Sequence, residues 1–165
     1  GVVYGVNSKM ILEKFAEKPW SARLQPPVMT HVVRVDRDFD DPLPPDVKDL
    51  DAVVCVLNYH DFVWMKLDRK KMNDAVFRAL KPGGVYVVID HAAAEGHHLN
   101  DVQTLHRIEE SDVKSEITAS GFVLDQEAEF LRNPRDTKDW STSPKAACAK
   151  RGTSDRFALR FQKPQ

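Results

Sequence analysis

Hydrophobic positions along the chain fall into short blocks of two kinds. Val2–Val6, Val28–Val35, Asp51–Leu57, Val85–Ile89, Phe122 to about Phe130 and Arg156–Phe161 are rich in β-branched and aromatic residues. Turn-forming residues bound most of them, which predicts strands. Between several of these blocks the apolar residues recur three or four apart: Ile11 and Phe15 flanked by Met10 and Leu12, then Met72, Ala75, Val76, Ala79 and Leu80, then Val113 and Ile117. That spacing is helical. Asn7 or Ser8, Asp68 and Ser111 can cap the three helices. Pro19, the Pro82-Gly83-Gly84 run and Gly121 mark their ends.

Asp51–Leu57 and Val85–Ile89 run apolar on both faces, as strands do in parallel sheets covered from both sides. Asp36 to Asp46 contains Pro42, Pro44 and Pro45 and reads as an acidic loop. No clear helix separates the last two strands, which predicts an antiparallel pair at one edge. The fold class is therefore α/β, a mostly parallel sheet of about six strands with an antiparallel C-terminal edge pair.

Length and charge narrow this picture. The 165 residues suit one domain, 1–165, and 42% hydrophobic residues suffice for a core. Net charge is −1, which disfavours a nucleic-acid binder or a protein of anionic membrane surfaces. Charge is nevertheless uneven, since Arg132 to Lys163 holds nine basic residues against three acids. The longest apolar run, Ala52–Leu57, is far shorter than the ~20 residues of a membrane span, and the expected location is cytoplasmic. Cys55 and Cys148 form no zinc spacing, and no structural disulfide is expected.

Several segments together resemble a group of bacterial class I S-adenosylmethionine-dependent methyltransferases. They are Asn58-Tyr59-His60-Asp61-Phe62-Val63-Trp64-Met65, the helix end Ala79-Leu80-Lys81-Pro82-Gly83-Gly84, the strand Val85 to Asp90 with His91, and Leu105-His106-Arg107-Ile108. The likeness covers nearly the whole chain and implies a Rossmann-like sheet with S-adenosylmethionine across the carboxyl ends of its first strands. It aligns Val2–Val6 with the family's second strand, so the central first strand and its Gly-rich cofactor loop have no counterpart. None of the seven glycines forms a G-x-G-x-G spacing. The expectation is a truncated domain that either closes the gap between its second and fourth family strands or pairs with another chain, as a dimer or other homo-oligomer.

The resemblance also assigns candidate site residues. On the cofactor side are Asn7, read either as ribose ligand or as helix cap, Asp36 and Arg37, read either as adenine contacts or as acidic loop, and Asn58 and Tyr59. On the acceptor side His60, Asp61 and His91 are the catalytic candidates, His60 as the base whose ordinary pKa lies near working pH. Trp64, His106 and Arg132 are candidate substrate contacts, with Trp140 a possible second wall of the acceptor pocket. Five of the six histidines (60, 91, 97, 98 and 106) are expected on or near one rim. Their spacing matches no H-x3-H or H-E-x-x-H motif, so no metal is assigned. The functional expectation is methyl transfer from S-adenosylmethionine to a small molecule. The alternatives are a catalytically degenerate binding or assembly protein and a repurposed histidine-based hydrolase.

Overall fold

A computed structural model describes residues 1–165 and confirms the α/β class. Its strands are β1 (Val3–Asn7), β2 (Val32–Asp36), β3 (Leu50–Val56), β4 (Leu80–His91), β5 (Val123–Ala128) and β6 (Arg156–Gln162). Its α-helical segments are α1 (Lys9–Ile11), α2 (Glu17–Arg23), α3 (Tyr59–Trp64), α4 (Arg69–Ala79), α5 (Val102–Leu105) and α6 (Glu110–Thr118). No helix is long and apolar enough to cross a membrane.

Six strands form, but they do not form one sheet. β1 and β2 make a parallel pair, and β3-β4-β6-β5 make a separate four-stranded sheet. Only β3 and β4 are parallel in that second sheet; β6 runs antiparallel to both β4 and β5. The expectation of a mostly parallel sheet is corrected on this point, because β6 inserts beside β4 and puts β5 on the outer edge. The expected antiparallel pairing of the last two strands is present.

No ladder joins β1 to β3, so within one chain the gap stays open. An apolar cavity of about 540 Å³ lies between them, lined by Val3, Tyr4 and Val6 on one side and Val53, Val54 and Val56 on the other. β3 is therefore not covered on both faces as its composition predicts: Val54 is 62% exposed and Val56 50%.

The main core lies over the second sheet. Tyr86, Val88, Phe157, Leu159 and Phe161 pack with Met72 and Val76 of α4 and Val113 and Ile117 of α6. The acidic loop contributes Phe39, whose ring meets Phe62 at 5.0 Å. Asp68 caps α4 as predicted, accepting from the Lys71 amide at 2.9 Å. Of the two candidates at the first helix, Ser8 is the cap, its hydroxyl accepting from the Ile11 amide. The signal at α6 fails. Glu109, not Ser111, occupies the cap position of α6, and its side chain makes no cap bond.

Pro19 does not stop the first helix. A π-helical turn at Leu12–Ala16 precedes it, and the chain continues helically to Arg23. The wider turn relieves the clash between the proline ring and the preceding carbonyls, and a position near the start of α2 needs no N–H donor of its own.

Candidate functional site

The carboxyl ends of β3 and β4 and the start of β6 converge on a second cavity of about 540 Å³. Its lining includes His60, Asp61, His91, His106, Trp64 and Trp140. The geometry begins with Leu57, which takes a left-handed conformation (φ 54) at the end of β3 and turns the chain into α3. A non-glycine residue there costs of order 1–2 kcal/mol, which surrounding structure must offset. The turn aims His60 inward, where it is only 4% exposed.

Asp90, the penultimate residue of β4, is fully enclosed and organises the site. Its carboxylate accepts the His60 amide at 2.9 Å and the His91 amide at 2.7 Å. His60 Nδ1 lies 2.7 Å from Asp90 Oδ1. Asp90 faces these donors as an acceptor, which assigns the ring proton of neutral His60 to Nδ1 and leaves the lone pair on Nε2. Burial disfavours charge on His60, but the Asp90 hydrogen bond and the charges of Asp90 and Asp61 outweigh it and raise the pKa above 6.5.

Nε2 of His60 lies 3.3 Å from Asp61 Oδ1, and His106 Nδ1 lies 3.5 Å from the same oxygen. The His60 and His106 rings stand nearly perpendicular, 5.5 Å between centroids. His91 bonds Ser154 Oγ through Nδ1 at 2.8 Å. Burial lowers the His91 pKa to about 4, more than the nearby Asp90 charge can restore. One cavity thus holds two imidazoles of opposite tendency.

Of the residues singled out from the sequence, His60, Asp61, His91, Trp64 and His106 all line this cavity. Five of the histidines were expected near one rim, and only three line it. His97 instead bonds Asp101 at 2.8 Å, and His98 sits against Glu109 and Asp112. Tyr59 is also placed elsewhere. It is fully buried, donating to Glu116 Oε2 at 2.9 Å and accepting from Asn73, so it has no surface to offer a cofactor. Arg132 pairs with Glu110, away from the cavity lining. The basic residues that do line it are Arg151 and Arg156.

The cofactor-side candidates divide similarly. The Asp36 carboxylate is engaged by Arg34 at 2.7 and 2.9 Å, and Arg37 by Asp41, so both satisfy local partners. Asn7 and Asn58 stand at the carboxyl ends of β1 and β3, and neither side-chain amide has a protein hydrogen-bond partner; Asn58 also borders the cavity between the two sheets. Each amide can both donate and accept, and the two strands that carry them face each other across the cavity between the sheets.

Sequence reasoning missed the support of the far wall. Arg107 is fully enclosed and donates to the Ala92 carbonyl, the Trp140 carbonyl and both oxygens of Asp136. Its guanidinium also lies 4.8 Å from the Trp140 ring centroid. Asp136 accepts as well from Trp140 Nε1 and from the Lys138 and Asp155 amides. This network fixes Trp140 in the cavity wall and anchors the amide of Asp155, next to the Ser154 that bonds His91.

No family model matches the chain, and none of the curated proteins does. Solved structures do match its fold. A methyltransferase of Haloferax volcanii in complex with the Trm112 methyltransferase activator superposes with TM-score 0.58 at 19% identity, over 91% of this chain and 68% of that one. A SAM-dependent methyltransferase from Aquifex aeolicus gives 0.63 at 11% identity, over 99% and 69%. The 4+2 cyclase SpnF gives 0.58 at 15% identity, over 98% and 64%. The chain has the class I methyltransferase fold and spans about two thirds of the length of these structures.

Proposed function

We infer that the protein takes part in methyl transfer from S-adenosylmethionine to a small-molecule acceptor. The observation that carries this reading is the cavity at the carboxyl ends of β3 and β4, with the buried Asp90–His60 pair aimed into it, in a fold shared with S-adenosylmethionine-dependent enzymes. Fold alone does not fix chemistry, as the cyclase shows, so the argument rests on the site. The cofactor supplies an electrophilic methyl group on a sulfonium sulfur.

Asn7 and Asn58 would hold the cofactor at the ends of β1 and β3. Trp64 and Trp140 wall the acceptor side. Arg151 and Arg156 at the same cavity favour an acceptor bearing a carboxylate or phosphate. An acceptor hydroxyl held in this cavity would be placed by the chain in line with that methyl group. The acceptor's hydroxyl proton is released to the His60, Asp61 and His106 rim, and His91, held neutral by burial, adds no competing positive charge. The residues of that rim act by orienting the acceptor in line and managing its proton.

A calorimetric titration with S-adenosylhomocysteine tests this reading. One saturable site is expected, weakened about 5- to 10-fold by Asn58→Ala or Asn7→Ala, the size of one lost hydrogen bond. Absence of binding overturns it and favours a second reading, a binding or assembly protein. The open edges of β1 and β3 support that alternative.

A further inference from the structure

We propose that His60 Nε2, His106 Nδ1 and an oxygen of Asp61 bind one divalent transition-metal cation of the zinc class. The inference rests on the methyl-transfer reading and refines it: with the cation bound, these three side chains serve as its ligands, and an acceptor hydroxyl acidified on the cation loses its proton to solvent rather than to them. Its warrant, however, is the geometry of the three side chains.

The donor set is two imidazole nitrogens and one carboxylate, and the three ligand atoms lie within 4.8 Å of one another. Two separations are informative: 3.3 Å from His60 Nε2 to Asp61 Oδ1 and 3.5 Å from His106 Nδ1 to that oxygen. Ligands about 2.0–2.1 Å from a shared tetrahedral centre stand roughly 3.3–3.4 Å apart, so both separations from Asp61 Oδ1 already match a zinc-sized ion, and the two imidazole nitrogens, within 4.8 Å of each other, close on it by side-chain rotation.

The orientation of His60 adds an independent argument. Asp90 fixes Nδ1 as the protonated nitrogen, which turns the Nε2 lone pair toward the Asp61 carboxylate. Two acceptors facing each other repel unless a proton or a cation sits between them, and a cation can take the place that the Nε2 proton of charged His60 fills. A buried carboxylate behind an imidazole whose free nitrogen faces a second ligand is the arrangement that orients histidines at zinc centres. Asp90 supplies it while fully enclosed and anchored by two backbone amides.

Three protein ligands leave one coordination position for an outside oxygen, the pattern of catalytic rather than structural zinc sites. All three residues line the cavity, so that position is open to an acceptor hydroxyl, which a bound cation would acidify. A second group, His98 with Glu109 and Asp112, lacks this support. His98 is 63% exposed, none of the group lines the cavity, and Glu109 already accepts the His98 amide.

The test is titration of the chelator-treated, desalted protein with Co2+, followed by the visible bands of tetrahedral cobalt and by calorimetry. One equivalent is expected to bind, and zinc should displace it. His106→Ala, at a half-buried side chain whose loss leaves the core intact, should weaken binding at least 10-fold. Asp90→Asn should weaken it 10- to 100-fold through His60, and His98→Ala should leave it unchanged. No saturable cobalt binding, binding that survives His106→Ala, or binding lost in His98→Ala overturns the proposal. No cofactor is needed for this titration. Homocysteine-derivative binding without cobalt binding would sink the cation and keep the methyl-transfer reading; the converse would do the reverse.

Discussion

Among single side chains the largest energetic stake sits at Arg107 and Asp136, both with no side-chain exposure. Removing one charge from a buried pair strands the other, so Asp136→Asn should cost roughly 3–5 kcal/mol in denaturant unfolding. The pH response follows from the same contact. Burial opposes the Asp136 charge, but the Asp155 and Lys138 amides and Arg107 prevail and hold its pKa below 3.8. On acidification the unfolded carboxyl takes its proton first. The stabilisation is therefore complete above about pH 4 and drains away as pH falls through the lower folded value. An acid series should show wild type losing that increment and Asp136→Asn, which never had it, losing less. None of this was legible locally, because Asp136 lies in a polar, proline-flanked stretch 29 residues from Arg107. His60 and His91 were legible by place, since polar residues directly after apolar strands mark where a sheet opens; His106 follows α5 and was named only through the resemblance. Tyr59 was misread because successive helical residues point about 100° apart: the turn that sends His60 into the cavity sends its neighbour into the core.

At the scale of elements, Tyr59 knits three helices together. Its hydroxyl lies between Asn73 of α4 and Glu116 of α6, and Arg69 holds the same Glu116 carboxylate with two bonds. Tyr59→Phe keeps the ring packing and removes one acceptor and one donor, with an expected loss of about 1–2 kcal/mol. Thermal unfolding measures it; an unchanged midpoint would mean that α3, α4 and α6 are held by packing alone. Strand and helix identities were mostly readable from periodicity and caps. Pro19 was not, because the π turn that accommodates it has no sequence signature of its own. The sheet's division was not readable from β3 either. Its valines announce burial on two sides, and whether a neighbour supplies the second side is a tertiary fact.

For the molecule as a whole the governing feature is the unpaired facing edges of β1 and β3. Exposed backbone donors and acceptors beside apolar side chains favour pairing with another chain. Self-association is therefore expected at micromolar concentration in sedimentation, and Val54→Lys should shift the population toward monomer with little change in secondary structure. A monomer at every concentration would rule out edge pairing. The same seam also shapes how the molecule breathes. Since no backbone ladder crosses it, the β1–β2 half is joined to the rest by chain connections and by side chains such as Val6, Phe39 and Ile11, which pack on the core of the larger sheet. Amides of β1 and β2 can then exchange with solvent through a partial opening, while those of Val88 and Leu159 wait for global unfolding. Hydrogen exchange is therefore expected to resolve two cooperative units on one chain, and ligands held at the ends of both sheets would fasten them together.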